Sequence, residues 1–142
     1  MTPTGPRDYS ATPLVRKLGI REDSRVLLVG PPDGFSLGLL PIGAEMVTAA
    51  RGRLDVTLVF VRTLSELGRR FPGLVRGLDP AGRLWVAWPR KASGIETDLS
   101  FDRVQGIGLA AGLVDNKSAS IDEVYQGLQF VYRLKDRPAG RR

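Results

Sequence analysis

The chain has 142 residues, 42% hydrophobic and 25% charged, proportions of a folded chain long enough for one ordinary domain. It contains no cysteine and no histidine. Disulfides, thiolate chemistry, imidazole general bases and the usual zinc sites are therefore excluded, and any catalysis or metal binding would rest on oxygen ligands, Lys or Arg. The net charge of +6 is unevenly placed: Arg133 to Arg142 hold five basic residues against Asp136, which accounts for +4.

Residues 1–8 carry little to bury and are expected to form a flexible arm ahead of a single α/β domain over 9–135. The opening MTPTGPRDYS lacks the apolar core of a secretory signal, and the longest apolar runs are too short to cross a bilayer, so a cytoplasmic, membrane-free protein is expected. Thr12 suits an N-cap, Pro13 the first helical position and Gly19 a C-terminal stop, which marks a short helix. Arg25 to Gly30 is an apolar run that ends in Gly30-Pro31-Pro32-Asp33-Gly34, the pattern of a buried strand entering a loop. That loop reads as structural. A phosphate cradle needs free backbone N–H groups, and two prolines supply none while Asp33 adds negative charge. Phe35 to Pro41 carries no clear pattern, and Glu45 to Ala50 suits a short second strand.

Asp55 to Val61 is the strongest strand of the sequence, apolar on both faces as inside a parallel sheet. Thr63 and Glu66 then form a capping box for a helix through Leu78, with Pro72 expected to kink or restart it. Asp79 to Gly82 reads as a turn and Arg83 to Trp88 as a strand stopped by Pro89. A loop over residues 90–97 leads to a helix from about Leu99 to Ala111, with Phe101, Val104, Ile107 and Ala111 on its buried face. Gly106, Gly108 and Gly112 weaken that helix but permit close packing on a sheet. Leu113 to Ile121 and Val124 to Leu134 suit a hairpin turning at Asp122 and Glu123, and 136–142 a flexible basic tail. Alternation of strand and helix implies a three-layer, Rossmann-like α/β fold with a mostly parallel sheet and an antiparallel C-terminal hairpin.

One loop stands out as a ligand site. It leaves the carboxyl end of the strand 83–88, the edge where doubly wound sheets bind ligands. Arg90 and Lys91 offer cationic donors, Ser93 a hydroxyl and Gly94 a flexible N–H, while Thr97 or Asp98 could cap the next helix or face the same crevice. An anionic small ligand is the partner this composition would take, with a solvated charged loop as the bland alternative. Asp115, Asp122 and Glu123 are weaker candidates for carboxylate chemistry, since acids at turns are common for local reasons. Trp85 and Trp88 should face opposite sides of their strand, at least one of them in the core and the other able to line a pocket. Tyr9 and Ser10 could fold over the sheet edge. No motif implies a cofactor or a metal.

The segments YSATPLVRKLGI, LDPAGRLWVAWPRKASGIETDL and GLVDNKSASIDEVYQGLQFVYRL resemble an uncharacterised bacterial family of actinobacterial type, marked by its YSATP, AWPRKASG and TDL pieces. That resemblance implies no activity. The order of DVTLVFV, helix, LDPAGRLWVAW, helix and hairpin also resembles the C-terminal half of class I methyltransferases, which implies a Rossmann-like sheet. The sequence departs from that pattern at the glycine-rich turn after the first strand and at the acidic residue ending the second. It also departs in length, since 24 residues, Pro31 to Leu54, separate the first strand from DVTLVFV. With no His, Cys, phosphate loop or acidic catalytic cluster, the balance is against catalysis. A non-catalytic interaction or small-ligand-binding module, with homo-oligomerisation an option, is the leading expectation. The alternative is a reduced methyltransferase-like enzyme or cofactor-binding domain with its site at the WPRKASG loop. Nucleic-acid contact through the basic tail is not expected to exceed a weak, salt-sensitive association.

Overall fold

The computed structural model describes residues 12–49 and 52–137. The whole expected arm, Tyr9, Ser10 and residues 138–142 of the basic tail lie outside the described residues. Helix α1 (Leu14–Leu18) precedes strands β1 (Arg25–Val29), β2 (Glu45–Val47) and β3 (Leu54–Phe60). Helix α2 (Leu64–Gly77), strand β4 (Leu78–Pro89), helix α3 (Phe101–Ala110) and strands β5 (Val114–Ser120) and β6 (Tyr125–Val131) follow. They form one six-stranded sheet in the order β2-β1-β3-β4-β6-β5. The first four strands are parallel, and β6 runs antiparallel to both β4 and β5. This is the expected mostly parallel Rossmann-like sheet with an antiparallel hairpin.

The sheet is buried on both sides. Leu84, Val86, Trp88, Leu128 and Phe130 point to the face covered by α2 and α3, where they meet Leu67, Phe71 and Val104. Val26, Val56, Leu58, Trp85 and Ala87 point to the other face. That face is covered by a thinner layer, namely α1 with Leu18 and an irregular strip through Phe35, Leu37 and Leu40. Trp85 and Trp88 do face opposite ways, but both are core residues. The indole Nε1–H of Trp85 donates to the Leu18 carbonyl at 3.1 Å and so pins α1 to the sheet. Burying one such aromatic contributes about 1.5–3 kcal/mol.

Several local expectations are corrected. Pro13, not Thr12, is the N-cap of α1, and it makes no side-chain cap bond, while Gly19 closes the helix at φ 85° as expected. Pro72 does not interrupt α2, which runs unbroken through it. Gly68 stands four residues earlier, where the ring meets the preceding turn. Thr63 caps α2 as expected, its Oγ1 accepting from the Glu66 N–H at 3.1 Å. Asp79 to Gly82 does not separate helix from strand but lies within β4. There the pairing jumps from Leu54–Leu78 to Val56–Arg83, and Asp79 accepts from the Ala81 N–H at 2.9 Å. The hairpin extends the β4 edge, with β6 next to β4 and β5 outermost. Gln129 in β6 is buried along with Leu128 and Phe130. On α3, Val104 and Gly108 are buried, whereas Phe101 is 45% exposed and Ala111 lies at the surface.

Candidate functional site

The chain passes from β1 to β2 on one side of β1, and from β3 to β4 on the other side of β3. The carboxyl ends of β1 and β3 are thus the topological switch point, where open α/β sheets leave a crevice. A crevice of about 570 Å³ lies there. One wall is Gly30, Pro31, Pro32 and Asp33, the other is Arg62, Thr63 and Glu66, and Phe60 and Tyr125 form its aromatic floor. Gly30 adopts φ 65°, and a Cβ there would stand 3.2 Å from the Phe60 carbonyl, so the glycine lets the loop leave close against β3. The Phe60 ring packs edge-on against Phe35 at 4.9 Å and against Tyr125 at 5.1 Å. Tyr125 is buried, and its hydroxyl makes no hydrogen bond among the described residues.

The electrostatics of this crevice select against one class of cofactor. Pro31 and Pro32 bring no N–H, and the carboxylates of Asp33 and Glu66 outweigh the one cation of Arg62, so a pyrophosphate meets no amide cradle along this loop and a net negative lining. A phosphate-free ligand with a positive centre and an aromatic ring meets carboxylates and aromatic faces instead. The carboxylate of Glu66 is already steered, accepting from the Arg62 N–H at 3.4 Å and from Arg70 Nε at 3.3 Å. At the end of β2 stand Val47, Thr48 and Ala49, with no acid among them.

The six residues singled out in the sequence are dispersed rather than gathered. Arg90 turns toward the β5–β6 hairpin, where its guanidinium bonds Ser120 Oγ and, at 3.3 Å, the Asp122 carbonyl. It borders a different, open crevice of about 500 Å³ with Lys17 and Glu123. Lys91 and Ser93 lie on a single 3-10 turn (Lys91–Ser93) closed by Gly94 at φ 80°. Ser93 Oγ donates to the Arg90 carbonyl at 2.7 Å and accepts from the Ile95 N–H at 3.1 Å, so it braces its own loop. Thr97 and Asp98 reach the first crevice from behind. Thr97 Oγ1 donates to the Arg62 carbonyl at 2.6 Å, and Asp98 Oδ1 accepts from the Leu64 N–H at 2.8 Å. These two fix the β3–α2 turn that walls the crevice. Asp122 closes the hairpin, accepting from the N–H groups of Val124 at 2.8 Å and Tyr125 at 2.7 Å, and Asp115 accepts from Gln105 at 3.0 Å.

Sequence reasoning missed Phe60, Arg62, Glu66 and Tyr125. The signal was present only in part: the ends of the two strongest strands were visible, but their adjacency depends on strand order. Tyr125 comes from the far end of the chain and enters only because β6 inserts beside β4.

Solved structures with this arrangement are numerous. A fibrillarin pre-rRNA processing protein of Methanococcus jannaschii superposes with a TM-score of 0.59 at 13% identity, over 90% of this chain and 76% of that one. A magnesium protoporphyrin IX methyltransferase of Synechocystis, solved with SAH bound, gives 0.54 at 12% identity, over 89% and 81%. A SAM-dependent methyltransferase of Aquifex aeolicus gives 0.50 at 14% identity, over 90% and 98%. The fold is Rossmann-like, of the methyltransferase type. No family model matches the chain, and no curated protein matches its sequence. The resemblance to an uncharacterised bacterial family on YSATP, AWPRKASG and TDL thus has no matching model behind it. The leading expectation of a non-catalytic interaction or ligand-binding module is corrected by these neighbours. They favour the alternative, a methyltransferase-like domain. Among the described residues, no helix is long and apolar enough to cross a membrane.

Proposed function

We propose that this protein is a compact methyltransferase-like domain that binds S-adenosylmethionine in the switch-point crevice between β1 and β3. The observation that carries the reading is the lining of that crevice, carboxylates and aromatic rings with no amide cradle for phosphate, on a methyltransferase-type sheet. S-adenosylmethionine carries no phosphate, and its sulfonium and amino groups are positive, which suits Asp33 and Glu66. Its adenine ring suits the faces of Phe60 and Tyr125. When bound, the cofactor would supply an electrophilic methyl group. The loop from Arg90 to Asp98 then serves the site indirectly, through the hold of Thr97 and Asp98 on Arg62 and Leu64. Two departures from the methyltransferase pattern remain. An irregular strip links β1 to β2, and the end of β2 offers Thr48 in place of an acid.

Isothermal titration with S-adenosylhomocysteine tests the proposal. Saturable binding is expected, weakened by about tenfold in Asp33→Ala, a change at an exposed loop residue that spares the fold. NAD should not compete. Absence of S-adenosylhomocysteine and S-adenosylmethionine binding at millimolar concentration, with a folded protein by circular dichroism, would sink the reading.

A further inference from the structure

At the opposite end of the sheet lies a second, larger groove of about 720 Å³ whose charge is of the other sign. Arg16 of α1, Arg21, Arg83 of β4, Lys117 of β5 and Arg137 all line it, and no carboxylate of the described residues does. Like charges brought together raise the energy of the fold unless something compensates them. Nothing in the described chain does so. The guanidinium groups of Arg16, Arg21, Arg83 and Arg137 form no ion pair and no side-chain hydrogen bond among the described residues, whose ion pairs are Arg53–Asp79 and Arg70–Glu66. Glu22, Asp23 and Asp55 lie in the adjoining crevice, and neither Arg21 nor Arg83 pairs with any of them. Lys117 spends one proton on the Lys17 carbonyl at 2.9 Å and keeps two.

Two further features show a built site rather than a scatter of surface cations. Arg83 is half-buried, and burial first, then Arg21, lowers its guanidinium below the ordinary arginine range. Room for it is made by Gly19, where a Cβ would stand 2.5 Å from Arg83 Nε. Gln129, 4% exposed, also borders the groove from the middle of the sheet. A cluster of cations without partners, beside a side-chain amide, matches a ligand that brings several negative oxygens.

We propose that this groove binds a small anion bearing more than one phosphate group, held by Arg16, Arg21, Arg83, Lys117 and Arg137 and oriented by Gln129. Phosphate is the chemistry because guanidinium forks bond its oxygens in pairs, and multiple charge is needed because the cations surround the groove rather than meet at one point. The site is separate from the switch-point crevice, and its occupancy does not depend on what binds there.

Titration of the full chain with inorganic tripolyphosphate at about 0.15 M salt tests it, since surface attraction beyond a Debye length is screened there. One-site binding is expected. Arg83→Gln should weaken it by about tenfold or more, as the loss of a charge-assisted fork would. Because Arg83 is packed against Gly19, the exposed Arg21→Gln provides the same test without a risk to folding. Arg69→Gln, on the exposed side of α2, should change affinity less than about twofold, the behaviour of a remote surface charge. Binding should persist in Asp33→Ala. The proposal is overturned if tripolyphosphate does not bind, or if Arg21→Gln and Arg69→Gln weaken it equally. It is also overturned if a single-stranded oligonucleotide binds and tripolyphosphate fails to displace it.

Discussion

Two glycines in α3, two residues apart, should respond to the same substitution with opposite sign. A Cβ at Gly108 would lie 2.1 Å from Phe130 Cε1 and 2.4 Å from Cδ1. To restore an ordinary contact of 3.4 Å the ring must retreat by roughly 1.3 Å. Phe130 is fully buried and already meets Phe71 edge-on at 5.9 Å, so it has nowhere to go without displacing the core. Overpacking of this kind costs about 1–3 kcal/mol, at the upper end here because the neighbour is a rigid ring. Replacing a helical glycine by alanine returns about 1 kcal/mol. Gly108→Ala should therefore destabilise the protein by about 1–2 kcal/mol. At Gly106 nothing stands within 4 Å of the added Cβ, so only the helix term acts. Gly106→Ala should stabilise by about 1 kcal/mol. Urea unfolding of both variants, at matched slope, would read a gap of about 2–3 kcal/mol. Equal stability of the two would refute the placement of α3 against Phe130.

The remaining predictions concern the core and the loop that braces the crevice. Thr57, fully buried in β3, has a hydroxyl with no partner among the described residues. Thr57→Val should raise stability by about 1 kcal/mol, and a loss of that size in thermal unfolding would contradict it. Trp85→Phe removes the bond to the Leu18 carbonyl and leaves a gap beneath α1, for a loss of about 2–3 kcal/mol by denaturant titration. Asp98→Ala removes the acceptor for the first N–H of α2. It should cost about 1 kcal/mol and speed hydrogen exchange at Leu64, while unchanged exchange there would show that the cap is idle.

The sequence by itself determined the class of the fold. Val and Leu runs at 25–30 and 55–61, the Thr63–Glu66 box and the Gly19 stop are local signals, and each falls on the element expected because the forces behind them act within a few residues. It also excluded cysteine and histidine chemistry outright. Where it failed, distant residues decided. Pro72 was read as a break, yet the packed face of α2, with Leu67, Phe71 and Leu74 buried, holds the helix through it. Asp79 to Gly82 was read as a turn between helix and strand, yet it lies within β4 beside β3. The three glycines of the α3 region looked equivalent, and only Gly108 meets a ring. The site shows the same division. The loop 90–98 was visible as a cluster of donors, but the tertiary structure sends Arg90 to the hairpin and spends Thr97 and Asp98 on the β3–α2 turn. The crevice at β1 and β3 joins Gly30 to Tyr125, and the arginine groove at the other end of the sheet joins Arg16 to Arg137, residues far apart in the chain. Strand order brings such residues together, and strand order is settled by the burial of whole faces rather than by any local pattern.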